Sequence, residues 1–295
     1  MKMGDAMRVT FIGLGTMGAP MANRLLDAGF EVVGWDATES ARRRFSSCAA
    51  TLGEALEGTD TVVTMLPEGR DVASVYREAV FQRVKADTLL LDCSTIDVET
   101  TRDLAHEAAG KQCIMIDAPV SGGAEGAGKG TLSFMTGGAG EALERARPLL
   151  EAMGSKITHF GSSASGQAAK ACHNMICGIT ALGVCEAFAL ADALGLDGEK
   201  FFNLYQGAAA QSWVLENRCP VPGPAPNAPS SNGYAPGFAA RLMAKDLRLA
   251  QEAARSSGQA TPFGADAAKR FSDFAASDNG DLDFSAIYRT IRTTR

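Results

Sequence analysis

The stretch Arg8-Val-Thr-Phe-Ile-Gly13-Leu-Gly15-Thr-Met-Gly18 decides the fold of the first half of the chain. Its first five residues predict a strand, and the helical pattern of Ala19 to Ala28 follows the glycines directly. In the order strand, turn, helix, Gly-x-Gly-x-x-Gly is typical of a dinucleotide site, where the glycines allow a tight turn, approach of a pyrophosphate and close packing of the helix. The predicted cofactor turn comprises Gly13, Leu14, Gly15, Thr16, Met17 and Gly18.

A second predicted strand, Glu31 to Trp35, ends at an acidic residue, Asp36. A carboxylate about 20 residues beyond the glycines can bind the ribose hydroxyls and repels a 2′-phosphate. The sequence therefore favours NAD over NADP as the cofactor. The triplet Arg42-Arg43-Arg44 follows closely, and it is more typical of a solvated helix face than of a phosphate contact.

Two further apolar runs, Thr61 to Pro67 and Leu89 to Ile96, alternate with helical patterns. This alternation predicts an α/β fold with a Rossmann-type, doubly wound parallel sheet, in which ligands bind at the carboxyl ends of the strands. Residues at those ends are candidate walls for the adenosine and nicotinamide groups, although loop residues of this kind are structural as often as functional. They are Met65, Leu66, Pro67 and Thr95.

The run Ile114 to Val120 predicts another strand, which leads into the turn Ser121-Gly122-Gly123. Successive backbone N–H groups beside a hydroxyl make a candidate anion site, although an ordinary turn has the same composition. Three further elements complete the predicted sheet domain, which we assign to residues 1–163: a strand Thr131 to Met135, a helix Glu141 to Met153 and a strand Ile157 to Phe160.

From residue 164 to residue 295 the pattern is helical, and we predict an all-α domain. Its first helix should run from Gln167 to Leu194, roughly 40 Å, and join the two domains. Lys170 and Asn174 are four residues apart, so they share one helix face. A lysine on a helix is usually solvated, but small and apolar residues surround this one. Burial would lower its pKa and make it a candidate proton acceptor.

A segment rich in proline and glycine, Pro220 to Phe238, interrupts the helical pattern and predicts a surface loop or lid. The helix Ala239 to Ser256 follows and carries Lys245 and Asp246. Adjacent opposite charges in the middle of a helix are usually surface residues.

The net charge of -6 and a pI near 5.2 provide no basic surface for nucleic acid or an anionic membrane, so a small molecule is the expected partner. No uninterrupted apolar stretch reaches about 18 residues, the length of a transmembrane helix. Met1 to Met7 is too short for a signal peptide, and we expect a cytoplasmic protein.

Seven cysteines without a Cys-x-x-Cys pair predict buried, reduced thiols in a reducing compartment. The three histidines are not at metal-binding spacing, so no metal site is expected. His173, three residues after Lys170, is expected to be a packing residue rather than part of the site.

Together these stretches resemble the β-hydroxyacid dehydrogenase family, in the family's order and over nearly the whole chain. Four motifs carry the resemblance: Phe11-Ile-Gly-Leu-Gly-Thr-Met-Gly-Ala-Pro-Met21, Asp117-Ala-Pro-Val-Ser-Gly-Gly123, Gly166-Gln-Ala-Ala-Lys170 with Asn174, and Ala244-Lys245-Asp246-Leu247.

The resemblance implies a role for each matched position. Lys170 would transfer the proton, and Asn174 would hold the substrate or orient the lysine. The turn at Ser121, Gly122 and Gly123 would bind the substrate carboxylate. Lys245 would reach the nicotinamide and substrate, with Asp246 beside it in the substrate site. The resemblance also implies NAD as cofactor and a homodimer or homotetramer.

Within the family, Cys219-Pro-Val-Pro-Gly223 followed by Ser230-Ser-Asn-Gly-Tyr234 resembles the branch that oxidises 3-hydroxyisobutyrate to methylmalonate semialdehyde in valine catabolism. A sibling enzyme acting on succinic, glyoxylic or tartronic semialdehyde is the nearest alternative. A non-catalytic dinucleotide-binding scaffold would be expected to lack the lysine. A 6-phosphogluconate-type enzyme would need more basic residues and a longer helical domain.

Overall fold

The structure, a computed structural model, describes residues 7–292. The chain divides into two compact units, of which one ends at Lys170 and the other begins at Ala171. The prediction for Met1 to Met7 concerns a segment of which residues 1–6 lie outside the described residues. The first and last residues of the two predicted domains also lie outside them.

The first unit contains a five-stranded parallel sheet in the order β2-β1-β3-β4-β5. Its strands are β1 (Arg8–Ile12), β2 (Glu31–Trp35), β3 (Thr61–Thr64), β4 (Leu89–Asp92) and β5 (Ile114–Asp117). Strand β1 lies between β2 and β3, so the winding reverses there, and the rule for such sheets places a ligand outside the carboxyl ends of β1 and β3.

Both faces of this sheet are buried, which explains why its strands are continuous apolar runs rather than alternating ones. Phe11 packs into one core and its neighbour Ile12 into the other, and Leu91 and Leu90 divide in the same way. The helices of the first unit are α1 (Gly18–Asp27), α2 (Glu39–Arg42), α3 (Leu52–Leu56), α4 (Gly69–Val75), a π-helical turn (Tyr76–Val80), α5 (Phe81–Arg83), α6 (Val98–Gly110), α7 (Gly123–Lys129) and α8 (Gly140–Met153). The predicted Rossmann-type fold is confirmed.

The later strands lie in the first unit, where they form a separate three-stranded sheet. This sheet has the order β6-β7-β8, with β6 (Val120–Ser121), β7 (Leu132–Thr136) and β8 (Gly154–His159). Strand β6 is antiparallel to β7, and β7 is parallel to β8. The predicted strand Ile114 to Val120 divides before Pro119, which has no N–H to donate to a ladder.

Helix α9 (Ser165–Ala193) is 29 residues long, or about 43 Å, as the sequence predicts. The boundary between the two units, after Lys170, falls inside this helix. Within residues 7–292 it is the one helix long and apolar enough to cross a membrane, with a mean hydropathy of 1.6 over a window that is 39% buried. Core helices of soluble proteins meet the same criterion, so this is weak evidence.

The second unit is helical, as predicted, apart from its irregular segment. Its core contains Met243 and Leu247 packed with Phe271 and Phe284. Its elements after α9 are α10 (Gly198–Tyr205), α11 (Trp213–Asn217), a 3₁₀ turn (Pro229–Asn232), α12 (Ala240–Ser257), α13 (Pro262–Ala276), a second 3₁₀ turn (Phe284–Ile287) and α14 (Tyr288–Ile291).

The segment from Pro220 to Phe238 is irregular, as predicted, and it combines exposed residues with others that are packed into the second unit. Cys219 and Ala228 belong to the core of the second unit. The Ser230 hydroxyl donates to the Cys219 carbonyl oxygen at 2.6 Å, and the Tyr234 hydroxyl donates to that of Pro220 at 2.7 Å. Its own side chains therefore satisfy carbonyl groups that burial would otherwise leave unpaired.

Candidate functional site

The glycine turn has the conformation that its spacing predicts. Gly13 has a φ of 98°, and a Cβ there would clash with the Met65 carbonyl oxygen, while one at Gly18 would clash with the Gly13 carbonyl oxygen. A Cβ at Gly15 would meet no atom within 4 Å. The outer glycines are therefore required by the packing of the protein itself, whereas Gly15 is open to a ligand.

Helix α1 begins immediately after this turn and presents its N-terminus at the carboxyl edge of the sheet. Its N-cap residue, Met17, makes no side-chain cap, and its first turn contains no acidic residue. Backbone N–H groups at such a helix start favour an anion such as a pyrophosphate. The turn and the helix start thus fit the phosphates of a dinucleotide.

Asp36 is tied to the glycine turn. Its Oδ2 accepts a hydrogen bond from the Leu14 backbone N at 2.8 Å, and its Oδ1 accepts one from Thr38 N at 2.7 Å. A carboxylate offers about four acceptor positions, so it can still accept from two ribose hydroxyls. The position of Asp36 fits the adenosine ribose of NAD.

The three arginines after Asp36 differ in their contacts. Arg42 donates through Nη1 to the carbonyl oxygens of Asp36 and Ala37, so it stabilises the end of β2 rather than lying on a solvated face. Arg43 forms an exposed ion pair with Glu39. The prediction of a solvated face therefore fails for Arg42 and fits Arg43.

The loops after β3 and β4 lie against each other at the carboxyl edge. Met65 N donates to the Ile12 carbonyl oxygen at 2.9 Å, which places the β3 loop beside the glycine turn. Leu66 N donates to Ser94 Oγ at 2.9 Å. Pro67 and Thr95 follow in the same two loops, so the structure brings the predicted cofactor walls of the first unit to one edge of the sheet.

Asp92, a buried carboxylate that the sequence analysis missed, accepts hydrogen bonds from residues at the start of these loops. Asp92 Oδ1 accepts hydrogen bonds from Thr64 Oγ1 at 2.7 Å and from Ser94 N at 3.2 Å, and its Oδ2 has no partner within residues 7–292. Burial raises the pKa of Asp92, and the carboxylate of Asp117, its partner in the β4–β5 register, raises it further. Hydrogen bonds from Thr64 and Ser94 act in the opposite direction.

The start of α9 is fixed to the same edge by Asp117 and Gln167, two residues to which the sequence analysis gave no role of their own. Asp117 accepts from Ala164 N at 2.7 Å and from Gln167 N at 3.0 Å, which caps the helix. The Gln167 side chain donates to the Ser94 carbonyl oxygen at 2.8 Å and accepts from Ile96 N at 3.2 Å. Burial raises the pKa of Asp117, against the effect of the backbone hydrogen bonds it accepts.

Lys170 and Asn174 follow on the next turns of α9, and both are buried, with exposed fractions of 8% and 4%. Neither is a solvated surface residue. In the second unit, Asn174 Nδ2 donates to Asp246 Oδ2 at 2.5 Å, and Asp246 Oδ1 lies 3.3 Å from Lys245 Nζ. Asp246 is buried and Lys245 is partly so, which overturns the expectation of surface charge for this pair.

The predicted anion turn begins at the end of β6. Ser121 is half-buried, while Gly122 and Gly123 are exposed, and Gly122 has a φ of 136° that favours glycine. A Cβ at Gly123 would meet no atom within 4 Å, so the backbone of this turn is open to a ligand. The turn follows the end of β5, Asp117, by four residues.

Two expectations about packing are wrong. His173 is exposed, and so is its neighbour Cys172, because both lie on a face of α9 that the described residues do not cover. All seven cysteines are free thiols, and Cys93, Cys113, Cys185 and Cys219 are buried as predicted. Within residues 7–292, no group of three or more His, Cys, Asp or Glu side chains is placed to hold a metal ion.

Two family models cover almost the whole chain. Residues 8–161 match the NAD binding domain of 6-phosphogluconate dehydrogenase. Residues 164–291 match a model described as the NAD-binding domain of NADP-dependent 3-hydroxyisobutyrate dehydrogenase.

Similar proteins match over their full length. A 3-hydroxyisobutyrate dehydrogenase of Pseudomonas aeruginosa is 44% identical over 96% of this chain and 98% of its own. An NAD-dependent L-serine dehydrogenase of the same organism is 40% identical over 98% of this chain and 99% of its own. The solved structure of Mycobacterium tuberculosis 3-hydroxyisobutyrate dehydrogenase with L-serine has a TM-score of 0.92 and 41% identity, covering 98% of this chain and 100% of that one.

Proposed function

Because the chain belongs to the β-hydroxyacid dehydrogenase family, we propose that it oxidises 3-hydroxyisobutyrate to methylmalonate semialdehyde, with Lys170 accepting the hydroxyl proton. It is an NAD-dependent oxidoreductase. The observation that carries the proposed mechanism is the burial of Lys170 three residues beyond a helix turn that is fixed to the cofactor edge. Relatives named for this reaction support the choice of substrate.

In the proposed reaction, the backbone N–H groups of Ser121, Gly122 and Gly123 hold the substrate carboxylate. Charge-assisted hydrogen bonds of this kind fix the hydroxyl-bearing carbon in place. A neutral Lys170 takes the hydroxyl proton as that carbon becomes an aldehyde. Bound NAD supplies the acceptor for the hydride that leaves the same carbon. Proton transfer to a positioned base is typically worth about 10² to 10⁴-fold in rate.

Asp246 gives Asn174 a defined orientation. Since Asn174 Nδ2 donates to the Asp246 carboxylate, its Oδ1 is the acceptor on the other side of the amide. We assign that oxygen to the substrate hydroxyl or the Lys170 ammonium, one helical turn away on the same face. Lys245, held beside Asp246, is assigned to the nicotinamide and substrate.

L-serine is the second candidate substrate, because one relative is named for it and one solved relative contains it. Serine has the same hydroxymethyl and carboxylate groups and differs by an ammonium in place of a methyl. The same residues would act on either compound. A sibling activity on tartronic, glyoxylic or succinic semialdehyde would use Lys170 in the reverse direction, as the proton donor.

We place the reaction in valine catabolism, where 3-hydroxyisobutyrate is oxidised. The seven free thiols support a reducing compartment, the cytoplasm. The proposed quaternary structure is a homodimer or homotetramer.

The test is NADH formation by the purified protein with NAD and 3-hydroxyisobutyrate, beside parallel reactions with L-serine, 4-hydroxybutyrate and NADP. We expect turnover with 3-hydroxyisobutyrate and NAD, and a loss of about 10² to 10⁴-fold in kcat for Lys170→Ala. The dissociation constant of NADH should stay unchanged in that variant. Lys269→Ala, at an exposed lysine of α13, is the matched control and should retain full activity.

Each other outcome has a definite meaning. Higher kcat/KM with L-serine would move the protein to the second candidate and keep the mechanism. Full activity in Lys170→Ala would exclude the proton-transfer role. Binding of NADH without turnover of any acid would contradict the proposed oxidation and support a scaffold.

A further inference from the structure

Gln167 is a buried polar residue whose side chain forms hydrogen bonds with backbone groups of the loop after β4. It is 1% exposed, although glutamine is usually a surface residue. Its amide makes two hydrogen bonds, to Ser94 O and from Ile96 N, on either side of Thr95. The side chain therefore joins the first turn of α9 to the loop after β4, which is a predicted cofactor wall.

This contact determines which face of α9 points at the cofactor edge. Residues three apart differ by about 60° around the axis, so Gln167 and Lys170 lie on the same side of the helix. Since Gln167 is held against the β4 loop, Lys170 leaves the helix on the side of that loop. Rotation of the helix would carry Lys170 away from the edge and break both hydrogen bonds of Gln167.

Two neighbours hold the same end of the helix through its backbone. The Asp117 carboxylate caps the backbone at Ala164 and Gln167. At Gly166 a Cβ would clash with the Met135 carbonyl oxygen and lie 2.7 Å from Asp117 Oδ2, so only glycine allows this approach. These are contacts to the helix backbone at its end, whereas the Gln167 amide is a side-chain contact away from the axis.

We propose that Gln167 is a positioning residue for Lys170, which sets the rotation of α9 that aims the lysine at the carboxyl edge of the sheet. The inference rests on the proposed proton-transfer role of Lys170. Nothing in this arrangement requires Gln167 to touch the substrate. A displacement of about 1 Å at the reacting group can cost about 10²-fold in rate, so two lost hydrogen bonds at this position should be visible in kcat.

The kinetic test compares Gln167→Met, which keeps the length of the side chain and removes both hydrogen bonds, with Gln251→Met. Gln251 is a partly buried glutamine of α12 that bonds to Thr261 Oγ1, and it has no part in the proposed site. We expect Gln167→Met to lower kcat by about 10 to 10²-fold with the NADH dissociation constant within about twofold. Gln251→Met should leave kcat unchanged.

A double variant separates positioning from general damage. If Gln167 acts through Lys170, the Gln167→Met change should have no further effect on the residual rate of Lys170→Ala. If Gln167→Met lowers the rate by the same factor in the wild type and in Lys170→Ala, the proposal is overturned. Gln167→Glu, which keeps the acceptor for Ile96 N and loses the donor to Ser94 O, takes the place of the Met variant if that variant fails to fold, with a loss expected in the same direction.

A second readout is independent of turnover. In protein labelled with ¹³C-lysine, the side-chain NMR signal of Lys170, assigned by its loss in Lys170→Arg, should shift in Gln167→Met and stay in place in Gln251→Met. The signals of the exposed Lys129 and Lys269 are internal references. An unmoved Lys170 signal would overturn the positioning role even if the wild type oxidises the proposed acid. A shifted signal would support it even if the wild type oxidises none.

Discussion

Asp36 combines two functions in one carboxylate. It accepts hydrogen bonds from the backbone of the glycine turn and of the following loop, and it presents its charge where an adenosine ribose is expected. Arg42 lies against the carbonyl oxygen of the same residue. The preference for NAD over NADP therefore depends on the negative charge of Asp36, which lies beside the guanidinium of Arg42.

Replacing Asp36 with serine should relax this preference. Without the carboxylate the 2′-phosphate is no longer repelled, and Arg42 remains nearby, so the ratio of kcat/KM for NADP to that for NAD should rise by at least about tenfold, or 1.4 kcal/mol. Steady-state kinetics with both cofactors measure the ratio. Glu39→Ser, at an exposed acid three residues along, is the control and should leave it unchanged. An unaltered ratio in Asp36→Ser would refute this role.

Asp92 should make stability depend on pH. Its pKa is raised in the folded protein, chiefly by burial, so the folded state binds a proton more readily than the unfolded chain, where aspartate titrates near pH 3.9. Stability from this group is therefore greatest below the unfolded pKa and is lost as the pH rises through the folded pKa. Asp92→Asn cannot ionise and does not lose this stability.

We thus expect the urea midpoint of Asp92→Asn, relative to that of the wild type, to increase between pH 4 and pH 7. The test is the change of this difference with pH and not its size at one pH, because the asparagine amide also alters the hydrogen bonds at every pH. The exposed Asp27 of α1 provides the control, and Asp27→Asn should show no such trend. A relative midpoint that falls with pH would show that Asp92 is stabilised as a carboxylate.

At the scale of elements, α9 contains two glycines with opposite surroundings. A Cβ at Gly166 would clash with the Met135 carbonyl oxygen, a backbone atom that cannot rotate away. A Cβ at Gly183, in the middle of the same helix, would meet no atom within 4 Å. Helix propensity favours alanine over glycine by about 1 kcal/mol. A Gly→Ala substitution within a helix should therefore stabilise the protein unless the added Cβ clashes with a neighbour.

Gly183→Ala should therefore raise the free energy of unfolding by about 0.5 to 1 kcal/mol. Gly166→Ala should lower it by about 1 to 3 kcal/mol, as overpacking does, and should reduce kcat because the start of α9 must shift. Chemical denaturation and turnover of the two variants measure both effects. Stabilisation by Gly166→Ala would mean that the helix does not approach β7 and Asp117 as closely as described.

Local patterns predicted the elements that one continuous stretch of sequence defines. The strand, glycine turn and helix from Arg8 to Asp27 and the length of α9 belong to this group. The break before Pro119 was missed because an apolar run does not reveal which strand it pairs with. The burial of Ala228 was missed because a loop rich in proline and glycine resembles a solvated one unless its internal hydrogen bonds are known.

The same limit applies to the candidate site. Lys170 and the glycine turn are recognisable from residue type and spacing, whereas Gln167 in an alanine-rich helix resembles a surface residue. Its partners, Ser94 and Ile96, are 73 and 71 residues earlier in the chain. Asp92 was missed for a similar reason, since only the register with β5 shows that its carboxylate faces Asp117.

For the whole molecule, exposed apolar side chains are concentrated in the second unit. Among the described residues, the large hydrophobic side chains with high exposure lie in that unit apart from Phe160; they are Ile176, Leu190, Leu194, Leu196, Leu204, Trp213 and Phe263. Exposed apolar side chains gathered in one part of a protein favour an interaction site there, and a second copy of this chain is the proposed partner.

Light scattering coupled to size-exclusion chromatography should therefore give a mass of two or four chains. Leu190→Glu, at a residue of α9 that is 61% exposed, should reduce that mass by placing a charge in the interface. Phe160→Glu, at the 50% exposed residue of the first unit, is the control and should leave it unchanged. A monomeric wild type would exclude the proposed assembly.

The cap of α9 also has a consequence for synthesis of the chain. Asp117 precedes the amide it caps at Ala164 by 47 residues, and Ser94 precedes Gln167 by 73. Because domains fold as the chain emerges, from the N-terminus onward, β4 and β5 can pair before α9 leaves the ribosome. The sheet would then act as a template on which the first turn of the helix nucleates, a step that is costly for an isolated helix.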